Sequence, residues 1–124
     1  MVKIDDYADY RAFLKDHYEA VKRLKPKYSY RVFNQRAGVK SPSMYREVVQ
    51  GLRNLTPDTA ARFAKGLRLS ERDGRYFDAL VRFNQSLDPG AKQSALETLR
   101  TMRVWQRPKL IPTDLYSYYE RWYH

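Results

Sequence analysis

An all-α bundle of about six or seven helices is the fold this 124-residue chain predicts, and three observations predict it. Apolar residues recur three and four positions apart through most of its length, as one buried helix face requires. Helix-start signals punctuate these stretches at Ser29, Ser41-Pro42, Thr56-Pro57, Ser70 and Asp88-Pro89, where a small side-chain oxygen can cap free amides and proline loses no useful hydrogen bond. Finally, there is no cysteine, so neither disulfides nor a cysteine-based zinc site stands in for a core. A chain of this length buries a core unaided.

Residues 6–24 read as the first helix. Tyr10, Phe13, Leu14, Val21 and Leu24 form its apolar stripe, with Asp5, Asp6 and Asp9 near the positive end of its dipole. Lys25-Pro26-Lys27 breaks it, because proline interrupts the amide ladder. Ser29 then caps a second helix that buries Val32, Phe33 and Ala37. Gly38 supplies a left-handed C-cap, and Val39 tucks back beneath it. Ser41-Pro42 restarts the chain as a third helix with Tyr45, Val48, Val49 and Leu52 facing inward. Ser43, Arg46, Glu47 and Gln50 then project outward in one row.

Thr56-Pro57 opens a fourth helix. Ser70 and Asp73 form a capping box for a fifth, which carries Tyr76, Phe77, Leu80, Val81 and Phe83 as core. After the break at Asp88-Pro89-Gly90, Ala91, Ala95, Leu99 and Met102 share one side of a further helix ending near Gln106. The helical domain is therefore expected over residues 1–106. Two prolines make residues 107–112 an extended linker. Residues 113–124 crowd Leu115, Tyr116, Tyr118, Tyr119, Trp122 and Tyr123 into a final aromatic helix, which needs a partner surface.

Two short helices joined through a glycine turn, the second presenting small, basic and amide side chains, have the geometry that lays a helix in the major groove of DNA. The plainer reading is a helical hairpin whose polar row is solvated. Charge favours the first. The chain carries a net +10, and between residues 20 and 55 nine lysines and arginines stand against the single acid Glu47, leaving +8 in that segment. Such a concentration suits phosphate neutralisation and counterion release.

In the DNA-binding reading Ser43, Arg46, Glu47 and Gln50 face base edges: Arg46 pairs with guanine, Gln50 with adenine, and Glu47 accepts from cytosine. Arg31, Lys40, Ser41, Arg53 and Asn54 hold the phosphate backbone and set the register. Glu47 has an equally good role as the ion-pair partner of a neighbouring arginine.

Nothing in the sequence supports catalysis. His17 and His124 have no metal spacing and no nucleophile beside them, and His17 is expected as a packing residue. No glycine-rich phosphate loop, paired-carboxylate site or serine elbow is present, and no cofactor is implied. No apolar run reaches the length of a membrane span, and the acidic start differs from a secretory signal, so a cytoplasmic protein is expected.

The run AGV, a serine-bearing restart and then QGLRNLTPDTAARFAKGLRLS over residues 37–70 resembles the λ-repressor-like, xenobiotic-response-element (XRE) type of helix-turn-helix domain. The resemblance places the helix-turn-helix in residues 29–69, with Gly51, Leu52, Arg53, Asn54 and Leu55 as the loop after the recognition helix. Phe63, Ala64, Lys65 and Leu67 would belong to the helix packed behind it. From Val39 to Gly51 the chain has one residue more than the usual domain.

The elements DYADYRAFLKDHY, SYRVFNQRAGVKSPSMYREVVQGLRNLTPDTAARFAKGLRLSERDGRYFDALVRFNQS and LYSYYERWYH are also similar to a large paralogous family of bacterial proteins, first noted as an expanded set in Fibrobacter and presumed to be transcriptional regulators. In those, the stretch matching residues 116–124 opens a C-terminal domain, which predicts that this chain is the N-terminal module of a longer parent or a shortened member. The resemblances imply double-stranded DNA as the partner and transcriptional control as the role. A homodimer is expected, since one short recognition helix reads few base pairs. The alternative is a protein-interaction adaptor on the same scaffold, using residues 113–124 with Tyr116, Tyr119, Trp122 and Tyr123 as the contact surface.

Overall fold

The computed structural model describes residues 2–106, which form six α-helices, one turn of 3-10 helix at Ile4–Asp6 and no strand among the described residues. The helices are α1 (Tyr10–Leu24), α2 (Tyr30–Ala37), α3 (Met44–Val49), α4 (Pro57–Gly66), α5 (Glu71–Gln85) and α6 (Pro89–Gln106). The predicted linker and aromatic helix of residues 107–124 lie outside the described residues.

The first helix begins later than its composition suggested. Asp9 is the N-cap, accepting from the Arg11 amide at 2.9 Å, and residues 7–9 precede the helix. Asn84 of α5 holds this segment, donating to the Ala8 carbonyl and accepting from the Tyr10 amide, each at 2.9 Å. Asp5 consequently sits away from the α1 dipole and pairs with Arg72. At the far end Leu24 leaves the stripe, 71% exposed.

The cap of α2 is as expected: Ser29 Oγ accepts from the Val32 amide, and Gly38 takes φ 73°. The amides of Gly38 and Val39 both donate to the Asn34 carbonyl, the pattern of a Schellman ending. Its buried face is Phe33, Asn34 and Ala37, whereas Val32 is half-buried.

Ser41 and Pro42 do not start α3. The connection occupies residues 38–43, and Ser43 stands at the N-cap position with no side-chain capping bond. The Ser41 carbonyl is drawn toward α2, accepting from Asn34 Nδ2 and from the Met44 amide at 3.4 Å each, so one more turn of chain is consumed before the helix begins. Nor does Leu52 face inward. Gly51, at φ 81°, swings the chain out of the helix and leaves Leu52 74% exposed, and Leu55 becomes the buried residue.

Thr56 and Thr59 form a reciprocal capping box at the start of α4. At α5 only half of the predicted box forms: Ser70 accepts from the Asp73 amide, but the Asp73 carboxylate pairs with Arg72. Asp88 caps α6 through the Ala91 amide at 2.8 Å. Ala91 itself is exposed, and the buried side of α6 is Ala95, Leu96 and Leu99.

Helix α5 is central, with α1, α4, α6 and the N-terminal turn packed around it, while α2 packs on α4 and α3 on α1. Tyr45, Phe33 and Phe63 tie α2, α3 and α4 together. Phe33 meets both other rings edge-on, at 4.7 and 5.0 Å, and Tyr45 stacks on Phe63 at 5.7 Å. The buried Tyr45 hydroxyl donates to the Leu14 carbonyl of α1, so the ring's polar end is matched as well as its apolar body. Contacts from α3 thus reach both the α2/α4 layer and α1, and the short helix is held rigid by its neighbours rather than by its own six residues.

Candidate nucleic-acid interface

With Met44, Tyr45 and Val48 buried, the opposite side of α3 is fixed. Arg46 and Gln50 are exposed on it, one turn apart, with Ser43 half-buried at the helix start. The sequence-predicted row therefore survives as three outward residues. The fourth, Glu47, is tied back: its Oε1 lies 3.2 Å from Arg53 Nη2, in a contact not aligned as a hydrogen bond. This pair joins a predicted base-reading residue to a predicted phosphate contact.

The other predicted backbone-contact residues divide into two groups. Arg31 and Lys40 are exposed and line the same groove beside α2. Ser41 is half-buried in the α2–α3 connection. Arg53 and Asn54 lie in the exposed segment after α3 and are organised by a residue that sequence reasoning missed. Arg11, from the first turn of α1, donates to the Val48 and Arg53 carbonyls, the latter at 2.9 Å, and to Asn54 Oδ1 at 2.7 Å. One guanidinium thus fixes both the end of α3 and the segment that follows. The signal was present: Arg11 precedes Leu14 and Tyr18 by three and seven positions, which puts it at the margin of the buried stripe.

Other bases of the segment have local duties. Lys22 donates to the Tyr28 carbonyl at 2.6 Å, and the Arg36 guanidinium sits 5.8 Å from the Tyr28 ring centre. Arg62 of α4 donates to the Gly38 carbonyl at 2.9 Å and pairs with Asp58, bracing the α2–α3 connection from behind. Lys25, Lys27, Arg31, Lys40, Arg46 and Arg53 are exposed, and Glu47 is half-buried against Arg53. The field of the segment is therefore strongly positive.

His17 is 7% exposed, with Phe13 5.6 Å away, and burial lowers its pKa below the usual histidine value. That environment disfavours a charged imidazole and agrees with a packing residue. Among the described residues no group of His, Cys, Asp and Glu could hold a metal ion, and no helix is long and apolar enough to cross a membrane. Tyr116, Tyr119, Trp122 and Tyr123, the predicted interaction residues, lie outside the described residues. No protein family, no curated protein and no solved structure matches the chain.

Proposed function

We propose that the chain is a sequence-specific, double-stranded DNA-binding module of the λ-repressor-like (XRE-type) helix-turn-helix class, acting in transcriptional control. The observation that carries this reading is α3. It is a six-residue helix braced from α1 and α4, whose exposed side offers Arg46 and Gln50 with Arg53 just beyond. Arg46 bonds two acceptors on guanine and Gln50 bonds adenine, while Arg31, Lys40 and Arg53 neutralise phosphates. Ser43, at the helix start, approaches the backbone or a base edge. Glu47 restrains Arg53 instead of reading cytosine. Pairing of two copies extends the read sequence over two half-sites about one helical turn apart.

The test is fluorescence anisotropy of the chain on random duplex DNA and on matched single-stranded RNA between about 50 and 200 mM salt, followed by operator selection. Preferential duplex binding with several counterions released is expected, with most of it lost in an Arg46→Ala/Arg53→Ala double variant. Duplex binding absent at the lowest salt, or unchanged in the double variant, rejects the reading.

A further inference from the structure

Between the C-terminal half of α1, the start of α2 and the α2–α3 connection lies an open groove of about 580 Å³, lined by Tyr18, Tyr30, Arg31, Asn34 and Lys40 among others. That volume is within the range of roughly 300 to 1,000 Å³ typical of small-ligand sites. No acidic residue lines it.

Three features of its wall are complementary to one kind of molecule. Asn34 is only 7% exposed, and its amide nitrogen is engaged with the Ser41 carbonyl, but its Oδ1 has no donor. A buried amide oxygen is ordinarily matched, so this one calls for an N–H or O–H from outside the fold. Tyr18 and Tyr30, both half-buried, stack on each other with ring centres 4.3 Å apart and give the groove an aromatic wall. Arg31 and Lys40 are exposed, and the first turn of α2 directs its free amides to the same side, so that end of the groove favours an anion.

We propose that this groove binds a free nucleoside monophosphate. The base packs against the tyrosine wall and donates an exocyclic or ring N–H to Asn34 Oδ1, and the phosphate lies between Arg31, Lys40 and the start of α2. Because Arg31 and Lys40 are the cations assigned to DNA phosphates, nucleotide and duplex compete. This last step alone rests on the DNA-binding reading.

Calorimetric and NMR titration of the intact chain with AMP, GMP, CMP and UMP, against adenosine and inorganic phosphate as controls, tests the site without any DNA. At least one nucleotide is expected to bind ten-fold or more tightly than either control, with shifts at Asn34, Tyr18 and Tyr30. Arg31→Ala, at an exposed position, weakens that binding five-fold or more, and Asn34→Leu abolishes the discrimination between bases. Should Asn34→Leu fail to fold, Arg31→Ala and the comparison with inorganic phosphate decide the matter. Binding no tighter than inorganic phosphate, or unchanged in Arg31→Ala, overturns the proposal. A duplex competition follows: displacement by the bound nucleotide is expected, and simultaneous binding overturns the shared use of the two cations. A chain that binds nucleotide but no duplex keeps the site and removes the DNA reading.

Discussion

Arg11 and Asn54 are 43 residues apart in sequence, yet the Arg11 guanidinium donates to Asn54 Oδ1 at 2.7 Å while also holding the carbonyls of Val48 and Arg53. The side chain at the start of α1 therefore sets where α3 ends and how the following segment leaves it. Arg11→Ala removes these bonds, and since two of them are exposed to solvent the expected loss of stability is about 1–2 kcal/mol, below the sum for fully buried charged bonds. Duplex affinity also falls, because Arg53 and Asn54 lose their fixed positions. Arg11 touches no phosphate in this scheme, so the slope of log affinity against log salt stays unchanged. Denaturant melts and a salt series check both parts; a slope reduced by one or more would make Arg11 a phosphate contact instead.

The pairing of Glu47 with Arg53 gives an opposite expectation. Both side chains are over a quarter exposed, at 30% and 44%, so the ion pair contributes less than about 1 kcal/mol to folding. Its larger effect is on binding. Glu47→Gln removes the one acid from the basic segment and frees Arg53, so duplex affinity at low salt is expected to rise about three- to ten-fold, with the gain shrinking as salt screens it. Anisotropy on wild type and variant reads this directly. A fall in affinity confined to one base position would restore Glu47 as a base reader.

Most of the fold was legible because it follows from helix periodicity and capping, which are local. Ser29, Gly38, Thr56-Pro57 and Asp88 act where their chemistry places them. What was not legible depended on distant partners. The late start of α1 follows from Asn84 holding residues 8 and 10 from α5. The late start of α3 follows from Asn34 reaching the Ser41 carbonyl. Leu52 looked like a continuation of the α3 stripe, but periodicity cannot register that Gly51 adopts a left-handed conformation and ends the helix first. In the candidate site the outward placement of Arg46 and Gln50 followed from the burial of Tyr45 and Val48. The bracing by Arg11 and the groove beside Asn34 did not, because each joins residues from separate elements.

Gly66 closes α4 against α2, where a Cβ would meet Ala37 Cβ and Phe33 Cε2 at 2.8 Å each. Phe33 is fully enclosed between Tyr45 and Phe63, so its ring has little room to yield. Gly66→Ala is expected to destabilise the domain by about 1–3 kcal/mol, the usual cost of overpacking, although alanine is the better helix former. Gly74→Ala on α5 is the control, since its Cβ would find only Ala64 Cβ at 4.0 Å. A midpoint in Gly66→Ala equal to or above wild type would show that α2 and α4 can separate without cost.

His17 makes the stability of the domain depend on pH in a defined direction. The imidazole is 7% exposed, and burial lowers its pKa from the ordinary 6.5. Above pH 6.5 the ring is neutral both folded and unfolded, so it adds no pH dependence there. As the pH falls through 6.5 the unfolded chain takes up a proton that the folded chain still refuses, and stability declines until the lowered folded value is reached. Denaturation midpoints measured between about pH 7.5 and pH 5, above the ordinary range of the carboxylates, are expected to fall with pH in the wild type. His17→Leu keeps an apolar side chain of similar bulk beside Phe13 and removes the proton, so its midpoint is expected to stay level over that interval whatever its absolute stability. A parallel decline in wild type and variant would assign the pH dependence to other groups, and a rise in wild-type stability on acidification would mean that the folded chain welcomes a charged His17.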